Sequence, residues 1–434
     1  MRSILLSLVS ATFLISASPA LGTDPLERLW EKAEDVEPRV IEWRRDIHEH
    51  PELGNQEFRT AGLVADHLRS LGLDVATGVA HTGVVGTLRG SRPGPVVALR
   101  ADMDALPVEE MTGLPFASKV VATWEGREVP VMHACGHDNH VAILMGVAEV
   151  LSSMKDELPG TVKFIFQPAE EGAPRGEEGG AALMVREGVL EGEDAPSAIF
   201  GLHVGPLPPG IYYKPLGALA AADELRIRVE GRQTHGSTPW LGVDPINAAA
   251  QIIEALQTIP SRQLDVTVAP AVISIGSIQG GVRGNIIPGS VEMTGTIRTL
   301  DEAMREQVHQ KIRHTVDHVA ASTGSTASVE IVPYAPVTWN DPDLVEQMLP
   351  SLVRAVGEGR VHQVRPIMGA EDWSYILQQV PGAMAFLGTC PPGVPLAKAA
   401  PNHSNRMVID EDAMAVGTAL YAAVALDGCG VGER

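Results

Sequence analysis

Hydrophobic positions recur along this chain with two periods, one near 3.6 residues and one of strand length, and stretches of the two alternate. Across residues 24–50, Leu26, Trp30, Ala33, Val40, Trp43 and Ile47 share one helical face, and Pro51 ends the run. A second helical pattern over 56–71 carries Ala61, Val64, Ala65, Leu68 and Leu71 and stops at Gly72. Short apolar runs at 83–88 and 96–99 then read as strands. Val141, Leu144, Met145, Ala148 and Leu151 predict another helix, with Asp138 as its N-cap. Two more runs, 161–166 and 198–202, read as buried strands. Alternation of this kind predicts an α/β layer built on a mainly parallel sheet.

From about residue 216 the pattern changes. Leu225, Ile227 and Val229 alternate as a strand, and Asp244-Pro245 opens a helix bearing Ile246, Ala249, Ile253, Leu256 and Ile259. Strands follow at 271–278 and 290–298. A helix from Asp301 carries Met304, Val308, Ile312, Val316 and Val319, and a strand over 327–332 completes the order βαββαβ, the ferredoxin-like arrangement. The chain then returns to α/β character. Asp341-Pro342 caps a helix through 355, residues 369–373 open another, and a closing helix covers 410–425. The expectation is an α/β domain in two parts, 23–215 and 334–434, interrupted by a ferredoxin-like insertion at 216–333. A chain of 434 residues is also too long for one ordinary core.

Composition narrows the partners. The formal charge of −21 argues against a nucleic acid or an anionic membrane surface. Arg2, the apolar run 4–17 and the small residues Ala20 and Gly22 form a secretory signal over 1–22, so an exported protein is expected, periplasmic or secreted. No other segment reaches membrane-spanning length. With three cysteines, Cys135, Cys390 and Cys429, at least one thiol is unpaired. A Cys390–Cys429 disulfide and two free thiols both remain open, while a bound metal would protect Cys135 in an oxidising compartment.

The chemistry gathers around Cys135-Gly136-His137. A cysteine and a histidine two residues apart can place a thiolate and an imidazole on one ion, with Gly136 allowing a sharp turn between them. Alone, the pattern equally fits a buried cysteine beside a helix cap. Its company decides. Asp102, Asp104, Glu170, Glu171 and His203 all fall just past predicted strand ends, where open α/β sheets build their sites. Adjacent glutamates leaving a strand point in different directions, so one can ligate while the other faces a water.

Several motifs carry a family resemblance. They are Arg45-Asp46-Ile47-His48 with Pro51-Glu52, Leu99-Arg100-Ala101-Asp102-Met103-Asp104, His133-Ala134-Cys135-Gly136-His137-Asp138, Gln167-Pro168-Ala169-Glu170-Glu171-Gly172, Gly201-Leu202-His203, Gly284-Asn285-Ile286-Ile287-Pro288, Gly369-Ala370-Glu371-Asp372 and Asn402-His403-Ser404. In this order and spacing the chain resembles the co-catalytic metallopeptidases of aminoacylase and carboxypeptidase type. Within them it is similar to the branch of hippurate hydrolases and auxin-conjugate hydrolases.

The resemblance implies that Cys135, His137, Glu171, His203 and His403 hold two divalent cations and that Glu170 is the general acid/base. It implies that the insertion is a lid and dimerisation domain, making a homodimer expected, with His235 and Asn285 reaching the substrate. Arg283 or Arg298 could help hold a substrate carboxylate. Asp102 and Asp104 could orient ligand imidazoles or loop amides, or act only as structural caps. Zinc, manganese, cobalt and nickel all suit such a ligand set. The expected reaction is hydrolysis of the amide of an N-acyl amino acid or short peptide with a free carboxylate, by a metal-activated hydroxide whose proton passes to Glu170. An exopeptidase and an inert metal-retaining binding protein are the rivals. Asn139, the 234–240 turn, Ala370 and Trp373 depart from the family pattern and bear on substrate preference.

Overall fold

A computed structural model describes residues 25–430, so the expected signal at 1–22 lies outside the described residues. The larger sheet has eight strands. At its centre Arg92–Asp102 runs parallel to Pro159–Gln167 on one side and to Ala198–Gly205 on the other, and Gly382–Gly388 extends the parallel run. Both faces of these strands are covered, which is why Val97, Leu99, Phe164, Phe166 and Ile199 are wholly buried. Helices Pro25–Glu49, His137–Ser153 and Ala413–Gly430 pack on one face. Gly180–Arg186 and Ser374–Leu377 pack on the other.

The flanks of the sheet are antiparallel. Gly83–Arg89 pairs antiparallel with Pro159–Gln167 and forms a hairpin with Asp74–Val79, while Gly210–Tyr213 runs antiparallel to Gly382–Gly388 and carries the eighth strand, Val361–Gln363, parallel to itself at the edge. The mainly parallel sheet expected from sequence is therefore present, with added antiparallel edges. In the centre, Asp102 is in register with Gln167 and Arg100 with Gly201. Residues just past these positions, Asp104, Glu170 and His203, consequently emerge along one edge.

The smaller sheet orders its strands Ala271–Gln279, Ser290–Thr299, Ala221–Glu230 and Thr326–Ala335, all antiparallel. Helices Pro245–Thr258 and Glu302–Ser322 bury Ile252, Leu256, Val308 and Ile312 against Leu225, Ile227 and Val229. Asp244 and Asp301 cap them, accepting from the Ile246 amide at 2.9 Å and the Met304 amide at 2.7 Å. The connecting segments Leu216–Leu219 and Thr338–Asn340 pair with each other as a short ribbon. No described helix is long and apolar enough to cross a membrane.

Three expectations need correction or settling. Asp138 does not cap its helix: Gly136 does, at φ 91°, and Asp138 turns inward to Arg44 Nε and His48 Nδ1, each at 2.9 Å. The helix expected after residues 369–373 is the single turn Ser374–Leu377, because Glu371 and Asp372 are drawn into the buried polar site described below. Cys390 and Cys429 are separate buried thiols, facing the carbonyls of Val394 and Thr161 respectively, so they form no disulfide.

Close to the ribbon, Asp223 is buried between Arg305 Nη2 at 2.5 Å and His309 Nε2 at 2.7 Å. Burial works to raise its carboxyl, but the hydrogen bonds from His309 and Arg305 outweigh it and hold the group below its ordinary range. Its stabilising contribution is therefore complete above the unfolded carboxylate value of about 4 and is lost as pH falls through the depressed folded value. Asp223→Asn should destabilise the smaller domain by about 1–3 kcal/mol at neutral pH, since Arg305 loses its buried carboxylate and keeps only Glu302, 3.2 Å from its Nη1. Denaturant unfolding across pH 3–7 should also show less acid destabilisation in this variant than in the wild type.

Candidate metal centre

The cluster starts from the turn at Gly136. Its left-handed φ of 91° suits glycine, and a Cβ there would collide with Val204 Cγ2. The turn lets Cys135 precede the helix while His137 begins it, so both side chains face the carboxyl edge of the sheet. Cys135 Sγ lies 3.6 Å from His203 Nε2. Asn402 Nδ2 donates to the Cys135 carbonyl at 3.1 Å and lies 3.5 Å from the sulfur.

Each imidazole is oriented by its other nitrogen. His137 Nδ1 donates to the Asp104 carbonyl at 2.8 Å, leaving a buried Nε2 without a hydrogen-bond partner. His203 Nδ1 donates to the Val204 carbonyl at 2.7 Å, so its Nε2 presents a lone pair to the cluster. His403 has a left-handed φ of 68°, and its amide bonds the Ala134 carbonyl at 2.6 Å, which fastens it beside the Cys135 turn. Its Nε2 stands 3.0 Å from Glu171 Oε1, yet that oxygen lacks hydrogen-bond geometry.

Three overlapping sets follow. Cys135, His137 and His203 form one; Cys135, Glu171 and His403 form another; His137, Glu170 and Glu171 form the third, with the ligating atoms of each set within 4.8 Å. Cys135 belongs to both of the first two. All five expected ligands and Glu170 are thus brought together. Glu170 Oε2 lies 3.8 Å from His137 Nε2, and its backbone carbonyl accepts from Tyr334 Oη, on the smaller sheet's strand Thr326–Ala335, at 3.1 Å.

Beneath the cluster lies a buried polar frame. Arg100 Nη1 meets Asp102 at 2.6 Å, its Nη2 meets Glu371 at 2.9 Å, and its Nε donates to Gln167 Oε1 at 2.9 Å. Asp102 also meets His140 Nδ1 at 2.5 Å, and His140 Nε2 accepts from the Val204 amide at 2.8 Å. Both His140 nitrogens are occupied, so it positions rather than ligates. Asp104 Oδ2 accepts from the Glu171 amide at 2.9 Å. Burial raises the Glu170 carboxyl well above its usual range, reinforced by Glu371, Glu171 and Asp372. Such crowding of acidic groups, with a bare nitrogen on His137 and a thiol among imidazoles, fits divalent cations.

The residues expected to reach the substrate sit apart from this cluster. His235 and Asn285 adjoin one another, because His235 pairs with Ile286 and the Gly236 amide bonds the Asn285 carbonyl at 2.8 Å. His235 and Arg283 are exposed, and no hydrogen bond or ion pair among the described residues joins these three to the cluster. Sequence reasoning missed His140 and Asn402 as positioning residues. The His137–His140 spacing on one helix was a usable signal for the first; nothing local marks the second.

An α/β sheet with cysteine, imidazole and carboxylate groups converging at its strand ends is the architecture of a metal-dependent hydrolase. Residues 98–427 match the model described as peptidase family M20/M25/M40, and the chain belongs to that family. It is 42% identical to thermostable carboxypeptidase 1 of Saccharolobus solfataricus over 407 residues, covering 93% of this chain and 98% of that one. It is 35% identical to the IAA-amino acid hydrolase ILR1-like 2 of Arabidopsis thaliana, covering 95% and 91%. Among solved structures, the Bacillus subtilis YXEP protein, described as a dinuclear metal binding peptidase, aligns with a TM-score of 0.77 at 35% identity, covering 92% of this chain and 99% of that one. The resemblance read from the motifs is borne out at the level of family and enzyme class.

Gly136→Ala should disturb the turn on two counts, a positive φ and the collision with Val204. A loss of about 2–4 kcal/mol in stability is expected, together with reduced retained metal per chain. Thermal unfolding and elemental analysis of the purified variant check both.

Proposed function

We propose that this protein hydrolyses the amide bond of N-acyl amino acids or short peptides that carry a free carboxylate. The observation that supports the reading best is the sharing of Cys135 between two ligand sets, with Glu170 beside them. Cys135, His137 and His203 would hold one divalent cation and Cys135, Glu171 and His403 a second. Divalent cations bound there supply Lewis acidity toward a carbonyl oxygen and toward water.

The chain's own groups do the rest. Glu170, buried but 3.8 Å from His137 Nε2, takes a proton from the attacking water on its carboxylate and returns it to the leaving amine nitrogen. Asp104 holds the Glu171 amide and the His137 imidazole, so both keep their aim during that transfer. Asp102, through His140 and the Val204 amide, steadies the strand end that carries His203. In the inserted domain His235, Asn285 and Arg283 contact substrate as lid groups. Arg298 is half-buried, makes no ion pair among the described residues, and feels Asp223 and Tyr334 as its charged or ionisable neighbours, which suits it to a substrate carboxylate.

Two further parts of the reading concern context. The signal pattern at 1–22 supports a location outside the cytoplasm, in a periplasm or beyond. The inserted domain serves as lid and as dimer contact: its edge strand Ala271–Gln279 carries no charged residue and exposes Val272 and Ile278. Uncharged edge strands of this kind invite pairing with another copy. Ile278→Lys should therefore shift the protein toward monomer, measured by light scattering after size exclusion. A wild type that is already monomeric at micromolar concentration removes the dimer from the reading.

The decisive experiment is chelation, restoration with single divalent metals, and assay of N-acyl amino acids against dipeptides. Turnover of dipeptides alone would favour the exopeptidase reading that the 42%-identical carboxypeptidase suggests. Glu170→Gln should retain metal yet lose about 10²–10⁴-fold in kcat. Metal-loaded Glu170→Gln with full activity would remove Glu170 from the chemistry, and a metal-loaded wild type with no turnover on any amide would leave only a binding protein.

A further inference from the structure

The turn that carries both adjacent glutamates is an unusual piece of backbone. Ala169 stands at φ 50°, a left-handed value that a residue with a Cβ rarely adopts. Its methyl group packs against the backbone of Gly54 and Gly179, where a Cβ added to either glycine would come within 3.1 or 3.2 Å of it. What keeps the turn in place is a set of partners for successive peptide groups. The Ala169 amide donates to Glu57 Oε1 at 2.8 Å, the Glu170 carbonyl accepts from Tyr334, and the Glu171 amide donates to Asp104.

Glu57 holds a special place among these. It sits at the N-cap position of helix Phe58–Ser70, yet its side chain makes no bond to that helix's own amides. Glu52 does that work instead, accepting from the Arg59 and Thr60 amides at 2.8 Å each. Glu57 is thereby released to reach across to the Ala169 amide, and its other oxygen accepts from Thr82 Oγ1 at 2.5 Å. The carboxyl is wholly buried. A buried acid placed at a helix start, without capping the helix, needs another purpose.

We propose that Glu57 is a positioning residue for the reaction: by holding the Ala169 amide it keeps the left-handed turn that aims Glu170 at His137 and Glu171 at His403. This rests on the role given to Glu170 above. Burial, with Asp104 next in effect, pushes the Glu57 carboxyl up to about 8, so glutamine at this position preserves shape and a neutral acceptor.

The test uses the metal-loaded protein and two readouts, amide hydrogen exchange over residues 167–172 and steady-state hydrolysis of an N-acyl amino acid. In Glu57→Ala, exchange over that segment should rise, and kcat should fall about 10- to 100-fold with KM nearly unchanged. Glu57→Gln should stay near the wild type in both. Adding Ala169→Gly to Glu57→Ala should recover about tenfold of the lost kcat, because glycine adopts the left-handed turn without the Cβ penalty. A purely structural role for Glu57 would lower the melting temperature but would not be rescued by that glycine.

Unchanged exchange in Glu57→Ala, a loss confined to KM, or absence of glycine rescue each overturns the proposal. If Glu57→Ala does not fold, Glu57→Asp, one methylene shorter, replaces it in every arm. If the wild type hydrolyses no amide, the functional reading fails, while the exchange arm still decides whether Glu57 holds the turn.

Discussion

The whole site depends on one buried guanidinium. Arg100 is wholly inside the protein, yet it touches Asp102 and Glu371 directly, with Asp372 at 3.5 Å and Gln167 on its Nε. Removing water from such a group costs several kcal/mol, roughly, and only well-placed carboxylates recover it. The partners of Arg100 come from three separate places: Asp102 at the end of Arg92–Asp102, the Gln167 amide oxygen at the end of Pro159–Gln167, and Glu371 with Asp372 in the segment before Ser374–Leu377. Satisfying Arg100 therefore fixes the relative positions of the strand ends from which the candidate ligands emerge. The same carboxylates leave the space above Arg100 rich in negative charge, and that surplus makes a cation the natural complement there.

Orientation above that frame is handled mostly by backbone groups. His137 and His203 are each set by a main-chain carbonyl, and Glu171 by its own amide on Asp104. Main-chain partners move only if a strand end moves, so aim is tied to the rigidity of the sheet rather than to neighbouring rotamers. His140 is the exception and shows the logic from the other side. It spends both nitrogens, one on Asp102 and one on the Val204 amide, to connect the Arg100 frame to the strand end carrying His203.

Much of this was legible in the sequence because strand ends and ligand types are local signals. Asp102, Asp104, Glu170, Glu171 and His203 each follow an apolar run, and position alone predicted their shared edge. Other parts were not legible, for identifiable reasons. Gly382–Gly388 lies beside Ala198–Gly205 at the sheet centre, yet a run of Ala383, Met384, Ala385, Phe386 and Leu387 reads equally as helix, and only burial on both faces makes it a strand. Asp138 looks like a helix cap because aspartate usually is one; Gly136 takes that place through its left-handed turn, and Asp138 answers to Arg44 and His48 instead. Glu57 and Asn402 act on partners more than a hundred residues away in the chain, at Ala169 and Cys135, and no periodicity records such pairings.

The insertion raises a topological question that the sheet itself answers. His403 follows the inserted domain in sequence and His203 precedes it, so any geometry they share must survive more than a hundred intervening residues. It does so because the insertion leaves and re-enters through one ribbon, Leu216–Leu219 against Thr338–Asn340, whose two strands are hydrogen-bonded to each other. The chain returns to the large sheet nearly where it left, and Gly382–Gly388 can dock directly on Ala198–Gly205 in register. The loop after that strand then brings the His403 amide to the Ala134 carbonyl, and the two halves of the site meet. The five candidate ligands therefore all lie outside the inserted domain. Its direct hold on the turn of paired glutamates is Tyr334 on the Glu170 carbonyl, and that contact joins the smaller sheet to the candidate site.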